Sequence, residues 1–168
     1  GEFVLQTTGF WKRVLDTIDV AFPIVHGNNA EDGTLAGYLK TIGVPTVGSD
    51  VLGSALGQDK IVMKQVFEAT GLPVVDYTWF YDCEYLAHKD EIFRDVKKMG
   101  YPVIVKPASL GSSVGIEFVK DELDLDKAVR EAIRYDEKVI IFAMFNGDRM
   151  SFGTIDAFGK SRQDHGTY

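Results

Sequence analysis

At 168 residues, with a formal net charge of −7 and a pI near 4.9, the chain is too acidic for a nucleic-acid binder, which presents a basic face. Its 45% hydrophobic and 26% charged residues fit an ordinary globular chain, long enough for one well-cored domain or two small lobes. No apolar run approaches the roughly 18 residues that span a membrane, so no membrane partner is expected.

The chain opens at Gly1 rather than methionine, as expected of a cut or processed chain, and residues 1–11 carry no clear pattern. No basic-then-apolar leader points to secretion. Residues 19–25 read as a short buried strand, apolar on both faces and therefore parallel, ending at His26-Gly27. Leu35, Leu39 and Ile42 then recur at helical spacing, with Gly43 to end the helix, and residues 46–48 read as a second brief strand. Ser49-Asp50 caps one short helix, and Asp59 caps the next, whose Val62, Val66 and Ala69 line one face before Gly71. Residues 73–80 form a predicted strand rich in Val, Tyr, Thr and Trp. The lone cysteine, Cys83, follows as a passive loop residue; it closes no internal disulfide and fits a reducing cytosol. A helix is expected over 84–99 through Ile92, Val96 and Met99, and strands over 101–106 and 114–119. An amphipathic helix over 122–135 turns Leu125, Ala128, Val129, Ala132 and Ile133 inward, and a strand covers 138–142. Residues 151–157 suggest one more strand, and 161–168 read as polar and turn-like, with His88 and His165 exposed and outside any motif.

The chemistry concentrates at residues 103–116. A strand delivers Lys106 to a small-residue loop, Gly111-Ser112-Ser113, and a second apolar strand begins at once. Glycine lets backbone N–H groups approach a ligand, serine adds hydroxyl donors, and the lysine adds charge, which together suit a phosphate. Because the loop joins two strands, it is not a Walker-type loop, which opens a helix.

Four blocks occur in a fixed order: His26-Gly27 with Glu31-Asp32-Gly33, Asp59-Lys60, Val105-Lys106-Pro107, and Gly111-Ser112-Ser113-Val114-Gly115. Their order and spacing, from about residue 19 to 139, resemble D-alanine–D-alanine ligases of the ATP-grasp superfamily. The resemblance implies an α/β fold: a partial Rossmann-like (pre-ATP-grasp) lobe over 1–57, an ATP-grasp central α+β lobe over 58–147, and a remnant of a C-terminal catalytic domain over 148–168. Lys106 and the serine loop are then expected on adjacent antiparallel strands. It also implies ATP and Mg2+ as cofactors and D-alanine as substrate. The product it implies is a D-alanine dipeptide, made through an acyl phosphate for bacterial peptidoglycan-precursor synthesis in the cytoplasm, with D-lactate or D-serine left open as the second substrate and a homodimer left open. By matching positions, Lys60 and Lys106 hold the ATP phosphates, and Gly111, Ser112 and Ser113 close over them. His26, Glu31 and Ser112 serve the first D-alanine, and the backbone of Ala143 and Phe145 meets adenine.

The chain also departs from the family pattern. The N-terminal glycine-rich strand–loop has no counterpart, and the two hinge glutamates are replaced by Phe142 and Arg149. Asp148, Asp156 and Asp164 do not match the family's metal-ligand set, so no metal residue is assigned. The chain is therefore expected to bind nucleotide weakly or not at all, not to ligate, and to self-associate through faces a partner domain covers. The competing readings are another ATP-grasp carboxylate–amine ligase, which lacks the His26/Glu31 block, and a non-catalytic nucleotide-binding or interaction module.

Overall fold

Residues 3–111, 114–144, 154–155 and 161–162 are described by the structure, a computed structural model. The chain begins with an unexpected hairpin: β1 (Phe3–Gln6) pairs antiparallel with β2 (Val14–Ile18), with a register shift between Leu5 and Gln6. Phe10 and Trp11 in its loop meet edge to face at 5.5 Å and are 94% and 86% exposed. The predicted strand over 19–25 contracts to a single parallel bridge between Ala21 and Thr46. Ala21 N donates to Pro45 O at 2.8 Å and Val47 N to Ala21 O at 2.9 Å. Pro23 has no N–H to extend the ladder, and Phe22 and Ile24 lie exposed instead of buried. The parallel sense expected of a Rossmann-like lobe is present, but the ladder is not.

Helix α1 (Thr34–Thr41) starts from Gly33, whose φ of 90° is a left-handed value. A Cβ at Gly33 would lie 2.7 Å from the carbonyl oxygen of Val51. Left-handed strain and a backbone clash act together, so Gly33→Ala is expected to destabilise the fold by about 2–4 kcal/mol, measured as a lowered urea midpoint with an unchanged slope. Gly43, at φ 82°, follows the helix end as predicted. Asp50 caps α2 (Val51–Gln58) by accepting from Gly53 N at 2.7 Å. Asp59 caps α3 (Lys60–Ala69), accepting from Ile61 N at 2.9 Å and Val62 N at 3.2 Å. The inward face of α3 differs from expectation: Ile61 is buried, whereas Val66 is 41% exposed.

The central sheet contains β3 (Tyr77–Tyr81), β4 (Val103–Pro107), β5 (Glu117–Val119) and β6 (Lys138–Ala143), in the order β3-β6-β4-β5 with every neighbour antiparallel. Lys106 therefore lies on β4, whose neighbour β5 runs antiparallel, as predicted; Ser112 and Ser113 lie outside the described residues. β5 is shorter than expected because Gly115 turns the chain at φ 66°, where a Cβ would lie 2.8 Å from Tyr135 and 2.9 Å from Pro107. β3 likewise starts late, at Tyr77.

Alternation along the strands sorts side chains onto two faces. Phe80, Val103, Val105, Val139 and Ile141 pack against α4 (Tyr85–Met99) and α5 (Leu125–Ile133), whose Ile92, Val96, Leu125, Ala128, Val129 and Ala132 are buried as the helical spacing predicted. Asp126 ties the two helices together by accepting from Tyr85 Oη at 2.8 Å, Lys89 Nζ at 2.6 Å and Arg130 Nε at 2.8 Å. The Arg130, Lys89 and Tyr85 hydrogen bonds hold the Asp126 carboxyl far below its usual pKa. The opposite face carries Ile104, Lys106, Ile140 and Phe142, and α3 meets it through Ile61, clustered with Ile140 and Ala108.

Cys83 is exposed in a short 3-10 turn before α4, and His88 is exposed beside Glu91. β7 (Thr154–Ile155) pairs with β8 (Ser161–Arg162), so part of the stretch read as turn-like is strand. Asp148, Arg149, Asp156, Asp164 and His165 lie outside the described residues. No helix among the described residues is long and apolar enough to cross a membrane.

Candidate functional site

The site is built where α3 begins, against the exit of β4. Because Asp59 caps α3, Lys60 is the first helical residue and its backbone is fixed. Lys60 N donates to Ala108 O at 3.1 Å, and its ammonium donates to Gln58 O at 2.9 Å and Leu110 O at 3.0 Å. Gln58 Nε2 donates to Ser109 O at 2.7 Å, while Ser109 N donates to Asp136 Oδ2 at 2.7 Å. Lys138 then pairs with Asp59. The stretch 108–110 is thereby clamped from both sides, and it leads directly into Gly111, which is exposed and has open space where a Cβ would sit. Ser112, Ser113 and Phe145, all predicted site residues, lie outside the described residues.

Lys106 projects from the open face of β4, half-buried. Burial pushes its ammonium pKa down, and the neighbouring charge of Lys60 pushes it further. Burial also lowers the Lys60 pKa, against the attraction of Asp59, Glu31 and Asp136. The Lys60 charge therefore acts on Lys106 near the mouth of the loop, and Glu31, from the N-terminal segment, acts on Lys60. Lys60 is compensated by the carbonyls of Gln58 and Leu110, whereas Lys106 is a partly desolvated charge, which is costly without a partner.

Glu31 closes a tight turn. Its Oε2 accepts from Gly27 N at 2.7 Å, and Oε1 lies 3.8 Å from His26 Nδ1. Asp32 holds the same turn by accepting from Asn29 N at 2.8 Å and Thr34 N at 2.9 Å, and these bonds lower its pKa, that from Thr34 most. A cleft of about 160 Å³ lies beside it, lined by Pro23, Val25, Glu31, Leu35, Ser49 and Ser54. Ala143 N is already committed to Asp76 O at 3.0 Å, so this amide is taken up within the protein.

Comparison with known proteins now fixes the kinship. The family model "D-ala D-ala ligase C-terminus" matches residues 66–163, and "D-ala D-ala ligase N-terminus" matches residues 4–49. The chain belongs to the D-alanine–D-alanine ligase family. Among curated D-alanine–D-alanine ligases, that of Bacillus cytotoxicus is 43% identical over 141 residues, covering 83% of this chain and 39% of the relative. That of Macrococcus caseolyticus is 47% identical over 124 residues, covering 73% and 35%. The VanG D-Ala:D-Ser ligase from Enterococcus faecalis superposes with a TM-score of 0.72 at 36% identity, over 80% of this chain and 38% of that one. The D-alanine–D-alanine ligase from Coxiella burnetii gives 0.69 at 35% identity, over 84% and 43%. The chain thus spans about two fifths of the length of the relatives it matches, and its α/β architecture is that of these ligases.

Within this family framework, the residues that sequence reasoning missed are Gln58, Asp136 and Lys138, which clamp the loop stem, and Lys64, which sits on the open sheet face. Among the described residues no group of three His, Cys, Asp or Glu side chains is placed to hold a metal ion.

Proposed function

We propose that these residues form the phosphate-gripping part of an ATP-dependent ligase of D-alanine. Lys60 and Lys106 hold the phosphate tail, with Gly111, Ser112 and Ser113 over it. His26 and Glu31 line the place of the first D-alanine. In the full reaction, the first D-alanine's carboxylate takes the γ-phosphoryl group of ATP, releasing ADP. The second D-alanine's amine then attacks the acyl carbon, phosphate leaves, and the amide forms for cytoplasmic peptidoglycan-precursor synthesis. The observation that supports this reading is the Lys60 ammonium seated on Leu110 O at the stem of the Gly111 loop, a stem clamped by Gln58 and Asp136, with half-buried Lys106 delivered by the strand that enters the same loop. A concavity of backbone amides with ammonium groups at its rim suits an anion. The unit boundaries near 57 and 147 belong to the same proposal.

A non-catalytic nucleotide-binding module is the second reading. It is favoured by Phe142, which places a ring under Lys64 where the family pattern carries a carboxylate. An NMR titration of the 168-residue chain with inorganic triphosphate and with ATP tests both. Shifts of the Lys60, Lys106 and Gly111 amides at a Kd on the order of 1 mM, equivalent to about −4 kcal/mol, support the cradle. Unmoved amides at saturating nucleotide sink it. Absence of dipeptide from the bound chain, with ATP and D-alanine supplied, favours the module.

A further inference from the structure

The two edges of the central sheet are built differently. β5 is three residues long and carries Glu117, and both features discourage a further strand. β3, Tyr-Thr-Trp-Phe-Tyr, is five residues long, carries no charge and pairs with β6 without a bulge. Among the described residues no strand lies on its outer side. A flat, aromatic, uncharged edge is a template for another strand.

The ladder fixes which backbone groups that edge offers. Ala143 N donates to Asp76 O at 3.0 Å and Asp82 N to Glu137 O at 2.8 Å, one bond at each end of the β3–β6 register. Hydrogen-bonded pairs alternate along an antiparallel ladder. Thr78 and Phe80 therefore turn their backbone groups to β6, and Val75, Tyr77, Trp79 and Tyr81 turn theirs outward. Some of the outer groups are already used: Tyr81 N donates to Glu84 Oε2 at 3.2 Å, and Val75 O accepts from Lys64 Nζ at 3.4 Å. The N–H and carbonyl groups of Tyr77 and Trp79 have no partner among the described residues. These two residues lie symmetrically about Thr78.

That symmetry selects the occupant. We propose that β3 is the seam of a homodimer, in which a second copy lays its own β3 antiparallel against this edge with Thr78 on the two-fold axis. Tyr77 then faces the partner's Trp79, and Trp79 the partner's Tyr77, so the free groups of each copy satisfy those of the other. Thr78 opposes its own counterpart and Asp76 opposes the partner's Phe80, so no like charges face each other directly. Trp79 and Tyr81 are 37% and 38% exposed and meet edge to face at 5.7 Å. With Tyr77 they form an aromatic row that continues across both copies, and aromatic cross-strand pairs add to the ladder. The seam is short, which sets a Kd on the order of 10–100 µM. β3 lies two strands from the strand of Lys106, so the pairing does not depend on the phosphate site.

The test combines sedimentation velocity of the full chain with amide hydrogen exchange read residue by residue at about 20 µM and about 1 mM protein. The wild type is expected to become dimeric over this range. Exchange at Tyr77 and Trp79 should slow about fivefold as it does, whereas Thr78 and Phe80, already held by β6, should change less. Trp79→Pro removes one outward N–H and leaves the β6 ladder whole. Thr78→Lys sets like charges against each other on the axis. Each variant should raise the Kd about tenfold or more. A wild type that stays monomeric at about 1 mM overturns the seam. So does a dimer whose Tyr77 and Trp79 amides exchange as fast as in the monomer, which would place the contact elsewhere, as on the exposed β1–β2 hairpin. Dimerisation that survives both variants overturns it as well. If a variant fails to fold, the wild-type exchange pattern decides alone.

Discussion

Lys106→Met is expected to weaken ATP binding by about 100-fold and, at the same time, to stabilise the empty fold. The two effects have one cause. In the empty site, Lys106 is a charge held half out of water on the open face of β4, with the Lys60 charge against it. Methionine keeps the length of the stem and removes both penalties. A gain of about 1 kcal/mol would raise the melting temperature by about 2–4 °C in a chain of this size. With phosphate present the balance reverses, since a charge-assisted hydrogen bond lost from a partly desolvated site costs about 1.5–3 kcal/mol, and each 1.4 kcal/mol is tenfold in affinity. Thermal unfolding with and without nucleotide reads both signs in one experiment. If Lys106→Met lowers the melting temperature without ligand, Lys106 is a structural residue and not a phosphate holder. The pH dependence has a fixed sign as well. A lysine whose folded pKa is depressed below 10.5 disfavours the folded state at low pH, so its penalty fades as pH rises towards 10.5, while phosphate affinity falls over the same rise. Lys106→Met should flatten both slopes.

What could be read from the sequence was what short-range chemistry determines. Asp50 and Asp59 each precede a helix and bond to amides two or three residues on, so the type and spacing of a few neighbours sufficed. The helices carrying Ile92, Val96, Leu125 and Val129 bury the stripe their 3.6-residue period predicts. Periodicity failed where burial depends on a distant partner. The run over 19–25 has the composition of a central parallel strand, yet it makes one bridge and leaves Phe22 and Ile24 in solvent. The β1–β2 hairpin escaped notice because its Val4, Leu5, Val14 and Leu15 are all exposed, so no alternation marked it. On α3, Val62, Val66 and Ala69 made the more apolar stripe, but the sheet takes Ile61 and the stem of Lys64 instead. The candidate site divides in the same way. Lys60 and Lys106 stood out by motif. The groups that position them did not: Lys138 meets Asp59 across 79 residues, Gln58 meets Ser109 across 51, and Asp136 meets Ser109 across 27. No local pattern encodes such pairs.

Asp59→Ala is expected to be the most damaging single substitution for stability, because one carboxylate serves two structural ends. It caps α3 through Ile61 N and Val62 N, and it neutralises Lys138, whose side chain is 21% exposed against 13% for Asp59. Losing a cap costs about 1 kcal/mol. Breaking a largely buried ion pair from one side costs about 3 kcal/mol, since the remaining charge stays out of water. A total of about 4 kcal/mol is a large share of a typical 5–15 kcal/mol, and it corresponds to a fall of about 10 °C or more in melting temperature. Asp59→Asn separates the parts: asparagine still caps, so this variant should lose only the ion-pair share. Acid titration then identifies the carboxylate. Burial raises the Asp59 pKa, but the Lys138 hydrogen bond and the Val62 and Ile61 amides outweigh it and hold the pKa below 3.8. Its contribution is therefore complete above pH 3.8 and is lost as pH falls through the depressed value. Lys138, raised above 10.5 chiefly by Asp59, contributes fully below pH 10.5 and loses its share as pH climbs through the raised value. Between these limits the pair is intact, and Asp59→Asn should remove both the acid and the alkaline loss of stability. Because Lys60 takes its position from the same cap, Asp59→Ala should also abolish the amide shifts induced by triphosphate, even at temperatures where the remaining fold survives. If Asp59→Ala melts within 2 °C of the wild type and still binds triphosphate, the α3 cap is not what aims Lys60 at the loop.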